Sequence, residues 1–138
     1  MDVPEILVVD TTILYSSLVY NGVEHKIIIS GRFLLLTTDF NMAELVKVIK
    51  RNLNWSDKKV EDLIKSIPII IFTPKTYGNS LQKADSLIGK RDLSDVPLVA
   101  LALSTENDGI FTSDRDFEDV EKLFKIWNGC LQMKLNLF

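Results

Sequence analysis

Residues 6–12 read Ile6-Leu7-Val8-Val9-Asp10-Thr11-Thr12. Four consecutive apolar residues without polar alternation are the pattern of a strand buried on both faces. Such a strand belongs to a parallel sheet covered by helices on each side. The run stops at a carboxylate, and an acid there lies at the sheet edge where open α/β folds bind ligands. Working outward, the same arrangement recurs. Phe33 to Thr37 predicts a second strand, and Glu44 enters the helix after it. Gly109-Ile110-Phe111-Thr112-Ser113 predicts a fourth strand, followed by Asp114 and Asp116. Asp92 and Asp95 stand just before the apolar run from Val96 to Leu103.

The intervening segments complete the pattern. Ile13, Leu14, Ser17 and Leu18 share a helical face that ends at Asn21-Gly22, and a short helix over 23–30 follows, with Gly31 as its C-cap. Asn41-Met42-Ala43-Glu44 has the spacing of a capping box, after which Met42, Leu45, Val46, Ile49 and Leu53 fall at helical intervals. Ser56-Asp57 starts another helix, which buries Val60, Leu63 and Ile64 and stops at Pro68. Residues 69–72 form a third strand. Tyr77, Leu81, Ala84 and Ile88 mark a helix ending at Gly89. Ser94 or Asp95 caps the next helix, which is apolar nearly all round and therefore central; Pro97 is tolerated in its first turn. A helical turn at 117–120 and an edge strand at 123–127 close the pattern. The order β-α-α-β-α-α-β-α-α-β-β predicts a three-layer α/β/α sandwich with a five-stranded, mostly parallel central sheet. A single domain is expected over 1–138, with 129–138 as a C-terminal arm or extra strand.

Composition narrows the function classes. The chain has 138 residues, 46% of them hydrophobic and 25% charged, which suits one folded domain rather than a disordered segment. A net charge of −3 argues against coating nucleic acid by bulk electrostatics, but leaves room for a local basic rim. Cys130 is the only cysteine and His25 the only histidine, so a disulfide framework and a His/Cys zinc site are excluded. His25 lies in a polar, turn-like segment and is expected to be solvated. Asp2 and Glu5 stand where a signal peptide needs positive charge, and no apolar run reaches the roughly 20 residues of a membrane span. A soluble, cytoplasmic protein with no membrane partner is expected.

Each acid has a structural explanation by itself. Asp10, Asp95 and Asp114 can cap or complement helix starts, and Glu44 can complete its capping box. Capping would equally admit Ser, Thr or Asn at most of these positions, yet every one carries an ionisable acid. Gathered carboxylates repel one another unless protons or a cation intervene. A hard divalent ion such as Mg²⁺ or Mn²⁺ is the natural partner. Such ions polarise phosphodiesters and lower the pKa of bound water, so no protein nucleophile is required.

Four motifs in series carry a resemblance. They are Leu7-Val8-Val9-Asp10-Thr11-Thr12, then Met42-Ala43-Glu44-Leu45. Next comes Arg91-Asp92-Leu93-Ser94-Asp95 running into Val99-Ala100-Leu101-Ala102, and last Gly109-Ile110-Phe111-Thr112-Ser113-Asp114-Arg115-Asp116-Phe117. In this order the chain resembles the PIN-domain ribonucleases, which include the toxins of VapBC toxin–antitoxin pairs. The resemblance implies a five-stranded parallel sheet, a Mg²⁺ or Mn²⁺ site and cleavage of single-stranded RNA. It implies that Asp10, Glu44, Asp95 and Asp114 are the catalytic, metal-holding acids, with Asp116 as a further metal ligand. Asp92 is an accessory ligand or the cap of its loop. Thr112 and Ser113 orient the last carboxylate or a water.

Lys90, Arg91 and Arg115 flank the acids and are candidates for substrate phosphates. Lys47, Lys50 and Arg51 lie on the helix of Glu44, and for all six a solvated surface is the plain alternative. No aromatic-interleaved basic stripe is evident. Trp55 and Trp127 read as core or interface residues. A homodimer is expected from the resemblance and from an apolar surplus at Ile27, Ile28, Ile29, Leu63, Ile64, Leu131, Leu135, Leu137 and Phe138. An antitoxin protein is the further partner that a toxin would have. The alternative function is a PIN-fold regulatory or scaffold protein without nuclease activity. A phospho-receiver domain is disfavoured: Val9 precedes Asp10, strand three ends in Thr73-Pro74 and strand five in Asn128-Gly129, so its acid pair, phosphoacceptor and lysine are missing.

Overall fold

β1 (Ile6–Val9) lies at the centre of the sheet. Leu7 and Val9 point into one core and Val8 into a second, and all three are fully buried. The computed structural model describes residues 4–20, 22–90 and 92–128, excepting the side chains of 115, 116 and 119. β1 pairs with β2 (Leu34–Thr38) on one side and β4 (Ile110–Phe111) on the other. β3 (Ile70–Phe72) lies outside β2 and β5 (Ile126–Trp127) outside β4. The five-stranded sheet has the order β3-β2-β1-β4-β5 and every pairing is parallel. Burying a Val or Leu side chain contributes about 1.5–3 kcal/mol. A one-residue slip of β1 would exchange its two faces and draw Asp10 into the sheet, so the register is strongly determined.

The first core packs Leu7, Val9, Leu35 and Phe111 against α1 (Thr11–Val19), α2 (Val23–Ile29), α3 (Asp39–Leu53) and α4 (Asp57–Ser66). The second packs Val8, Leu36 and Ile110 against α5 (Pro74–Tyr77), α6 (Leu81–Ile88), α7 (Val96–Ser104) and a 3₁₀ turn over Arg115–Val120. The result is the three-layer α/β/α arrangement. The chain builds outward from β1 through β2 to β3, then returns over α5–α7 to set β4 on the far side of β1. β1 therefore feeds a helix on one face while β4 feeds a turn on the other. Their carboxyl ends part at the switch in strand order, where such sheets open a crevice.

Several local expectations are corrected. α3 starts earlier than the Asn41–Glu44 capping box implies. Its N-cap is Thr38, the last residue of β2, whose hydroxyl accepts from Asn41 N at 2.9 Å. Strand thus passes directly into helix, and Asn41 sits inside the first turn, buried. Before α7, Asp92 caps a 3₁₀ turn over Leu93–Asp95, accepting from Ser94 N at 2.9 Å, and Asp95 takes the N-cap position of α7 as expected. The Asp95 side chain makes no capping hydrogen bond. β4 and β5 are two residues each, shorter than the predicted runs. At Gly109, φ is 130° and a Cβ would collide with the Lys125 carbonyl, so the approach of β4 to β5 demands glycine.

His25 is half-buried rather than solvated: its Nδ1 lies 2.8 Å from the Ser17 carbonyl and ties α2 to α1. Ile27 and Ile28 belong to the core, which removes them from the apolar surplus, while Ile29 stays exposed. Trp127 is buried and donates to the Asp108 carbonyl at 2.9 Å. Trp55 is partly buried beneath the Lys59 ammonium. Arg91, the side chains of Arg115 and Asp116, and the 129–138 arm with Cys130 and its leucines lie outside the described residues. No helix among the described residues is long and apolar enough to cross a membrane.

Candidate active site

Asp10 follows β1 directly and is only 4% exposed. Its Oδ1 accepts from Thr11 N at 2.7 Å, so it also caps α1. Its Oδ2 accepts from the Thr12 hydroxyl at 2.9 Å and from the Thr112 hydroxyl at 2.7 Å. Burial pushes the Asp10 pKa above the usual carboxylate range. The hydrogen bonds from Thr112, Thr12 and Thr11 oppose that rise, and the charge of Asp114 adds to it.

The Thr112 hydroxyl that donates to Asp10 accepts from Asp114 N at 2.9 Å. One buried side chain just beyond β4 thus fixes both the β1 carboxylate and the backbone that carries the next acid. Ser113, expected to share this task, is exposed and lies outside the cleft lining.

Glu44 comes from the opposite wall. Asn41 Nδ2 donates to the Thr11 hydroxyl at 2.8 Å, and Asn41 Oδ1 accepts from the Thr38 hydroxyl at 2.6 Å. Thr37 reaches across from β2 to the Val9 carbonyl at 2.9 Å. These buried bonds lock the start of α3 against the start of α1 and place Glu44 one turn further along. Each hydrogen bond is worth about 1 kcal/mol, and loss of one partner inside costs more.

A cleft of about 440 Å³ gathers the result. Its lining includes Asp10, Glu44, Asp92, Asp95 and Asp114, together with Thr11, Thr12, Tyr15 and Ser16. Asp95 is 7% exposed, presented at the foot of the central helix α7. Asp92 both caps its loop and lines the cleft. Lys90 is exposed and stands outside the lining. Tyr15 and Ser16 carry no acid signal in the sequence. Only their position one turn beyond Thr11 and Thr12 on α1 marks them.

The donor set consists of carboxylate and hydroxyl oxygens, which suits a hard divalent cation and offers nothing to a soft one. Among the described residues, no three acidic, His or Cys side chains are drawn into a ready ligand shell. The fit therefore lies in the chemistry of the lining and in the electrostatic burden on Asp10, which a cation would relieve.

Comparisons with known proteins give the family and the fold. A family model described as PIN domain matches residues 8–123. No curated protein matches. Among solved structures, the Mycobacterium tuberculosis VapC20, described as a Sarcin-Ricin loop cleaving toxin, superposes with a TM-score of 0.60. At 13% identity, the match covers 83% of this chain and 93% of that one, and it shows a shared fold. The family match spans the strand-end acids, the central helix and the switch in strand order alike, and the chain belongs to the PIN-domain family of nucleases.

Proposed function

We propose that this PIN-domain protein is a metal-dependent endoribonuclease that hydrolyses phosphodiester bonds of single-stranded RNA. One observation carries the reading: a single cleft at the switch in strand order is lined by Asp10, Glu44, Asp92, Asp95 and Asp114, with no His or Cys among its described lining. Asp10, Glu44, Asp95 and Asp114 would hold Mg²⁺ or Mn²⁺, with Asp116 as a further ligand and Asp92 as an accessory one. When bound, the ion supplies Lewis-acid polarisation of the phosphodiester and lowers the pKa of a coordinated water. The protein's own contribution is position. Thr12 and Thr112 keep the Asp10 carboxylate from rotating, Thr112 also fixes the Asp114 backbone, and Asn41 sets the distance of Glu44. Lys90, Arg91 and Arg115, adjacent to the acids in sequence, are the proposed phosphate contacts.

The partner expected of this reading is RNA, in the cytoplasm. The VapC20 likeness supports a toxin within a toxin–antitoxin pair, and so an antitoxin protein as second partner. A homodimer is supported by the exposed Ile29 next to the half-buried Leu63 around a small surface pocket.

Cleavage of a labelled, unstructured RNA tests the reading. The wild-type chain should cut it in Mg²⁺ or Mn²⁺ and stop in EDTA, and Asp10→Asn and Glu44→Gln should each lower the rate by at least about 100-fold. Cutting in chelator, or an undiminished Asp10→Asn variant, would reject the mechanism. Silence in every cation would leave the scaffold alternative.

A further inference from the structure

Phe40, Glu44, Lys47 and Arg51 fall on one stripe of α3. With Ala43 and Val48 they line an open groove of about 360 Å³. Glu44 and Val48 line the acidic cleft as well, so groove and cleft are continuous. Phe40 is 42% exposed, a large ring left facing water at the start of the helix. Its backbone is anchored: Phe40 N donates to Asp39 Oδ1 at 2.9 Å, and the same oxygen accepts from the buried Tyr77 hydroxyl at 2.6 Å. Lys47 and Arg51 are exposed. Among the described residues neither enters an ion pair, whereas Lys50, Lys58 and Lys65 are paired with Asp57, Asp62 and Glu61. A chain of net charge −3 therefore keeps two cations beside the acidic cleft.

An accessible ring followed by cations matches a single nucleic-acid strand, whose unpaired bases offer faces for stacking and whose phosphates take the positive charge. We infer that this groove is the subsite for the RNA segment flanking the scissile phosphate, with Phe40 stacking an unpaired base and Lys47 and Arg51 holding phosphates. The inference rests on the ribonuclease reading and adds the origin of its strand preference. From Phe40 to Arg51 the stripe runs about 16 Å at 1.5 Å per residue, room for a few nucleotides. A phenyl ring stacks on any base, so the subsite selects unpaired RNA without reading its sequence. A duplex keeps its bases stacked inside and presents none to Phe40. The stripe joins one exposed ring to two cations whose proximity exists only on the helix, since they lie seven and eleven residues from Phe40 in sequence.

Fluorescence anisotropy with a short unstructured RNA tests this, in an Asp10→Asn background, with Mg²⁺ and with EDTA. Phe40→Ala and Phe40→Leu should each weaken binding about ten-fold, while Phe40→Trp should hold or tighten it. Lys47→Ala with Arg51→Ala should reduce the slope of log K against log salt by about 1.4. Circular dichroism melting of each variant guards against misfolding, and the Leu variant keeps the apolar area while removing the π face. Full affinity in Phe40→Leu, or an unchanged salt slope, overturns the subsite. So does a Phe40→Ala variant that changes the mass by light scattering while its RNA affinity stays constant, since the groove would then seat a second copy. Intact wild-type cleavage with indifference to all these substitutions sinks the subsite alone. Phe40-dependent binding without any wild-type cleavage sinks the nuclease reading and leaves the groove as an RNA site.

Discussion

Asp10 is held under opposing influences, and their balance has a measurable sign. Burial outweighs the three hydrogen bonds and raises its pKa. The unfolded chain then releases the proton first, so ionisation favours unfolding. The penalty is absent below the ordinary carboxylate pKa, grows as pH rises toward the folded-state value, and is constant above it. Asp10→Asn removes the charge, keeps an acceptor for Thr11 N and gives the Thr12 and Thr112 hydroxyls an amide to accept from. In EDTA at pH 7 this variant should melt a few degrees above wild type, with the gap closing toward pH 4; a lower melting temperature at pH 7 would contradict the assignment. Asn41→Ala acts through position instead. It takes away the acceptor of the Thr38 hydroxyl and the donor to the Thr11 hydroxyl, leaving each only its bond to the residue 41 backbone, and should cost about 1–3 kcal/mol in urea unfolding, with cleavage reduced because Glu44 loses its support. Unchanged stability would show that the bonds carry no load. Asp10 and Asp114 were legible in the sequence because they end apolar strands. Asn41 was misread because Thr38 belongs to a strand and a helix at once, and local spacing favours the later start.

At the scale of elements, the strands buried on both faces were the readable ones. β1 and β2 announce themselves as apolar runs, since helices cover both sides. β4 and β5 were read too long because Thr112, Ser113, Leu123 and Phe124 suit a strand, yet pairing stops once Thr112 turns to the site. Gly109 marks where that pairing begins. Gly109→Ala meets both a positive φ and the Lys125 carbonyl, and should cost about 3 kcal/mol or more in denaturant unfolding while the acids stay in place. A loss below about 1 kcal/mol would mean that β5 yields easily. α7 was legible as central because it is apolar on every side, and Val96, Leu98, Val99, Leu101 and Ala102 are indeed buried. Its entry was legible in outline, since Asp95 takes the N-cap position and Asp92 caps the loop before it; only the folded loop shows that Asp92 alone makes a capping hydrogen bond while Asp95 lines the cleft.

For the whole molecule, alternation of strands and helices was sufficient to read the three layers. The order β3-β2-β1-β4-β5 was not, because it depends on which side of β1 the long return over α5–α7 lands. That landing creates the crevice and brings residues as distant in sequence as Asp10, Glu44, Asp95 and Asp114 to one lining. The apolar surplus that motivated a dimer shrinks once Ile27 and Ile28 are seen inside, leaving Ile29 exposed and Leu63 and Ile64 half-buried, while Leu131, Leu135, Leu137 and Phe138 lie outside the described residues. Light scattering at micromolar concentration should still return about twice 15.7 kDa, and a mass near 15.7 kDa would reject the dimer. The central claim is that the cleft acids act together as one cation site. Titration of the metal-free protein with Mn²⁺, followed by the electron paramagnetic resonance signal of the free ion, tests it without any substrate. Wild type should remove Mn²⁺ from solution saturably, and Asp10→Asn and Asp114→Asn should each weaken that uptake by at least about ten-fold. Uptake that is absent in wild type, or equal in all three proteins, would contradict it.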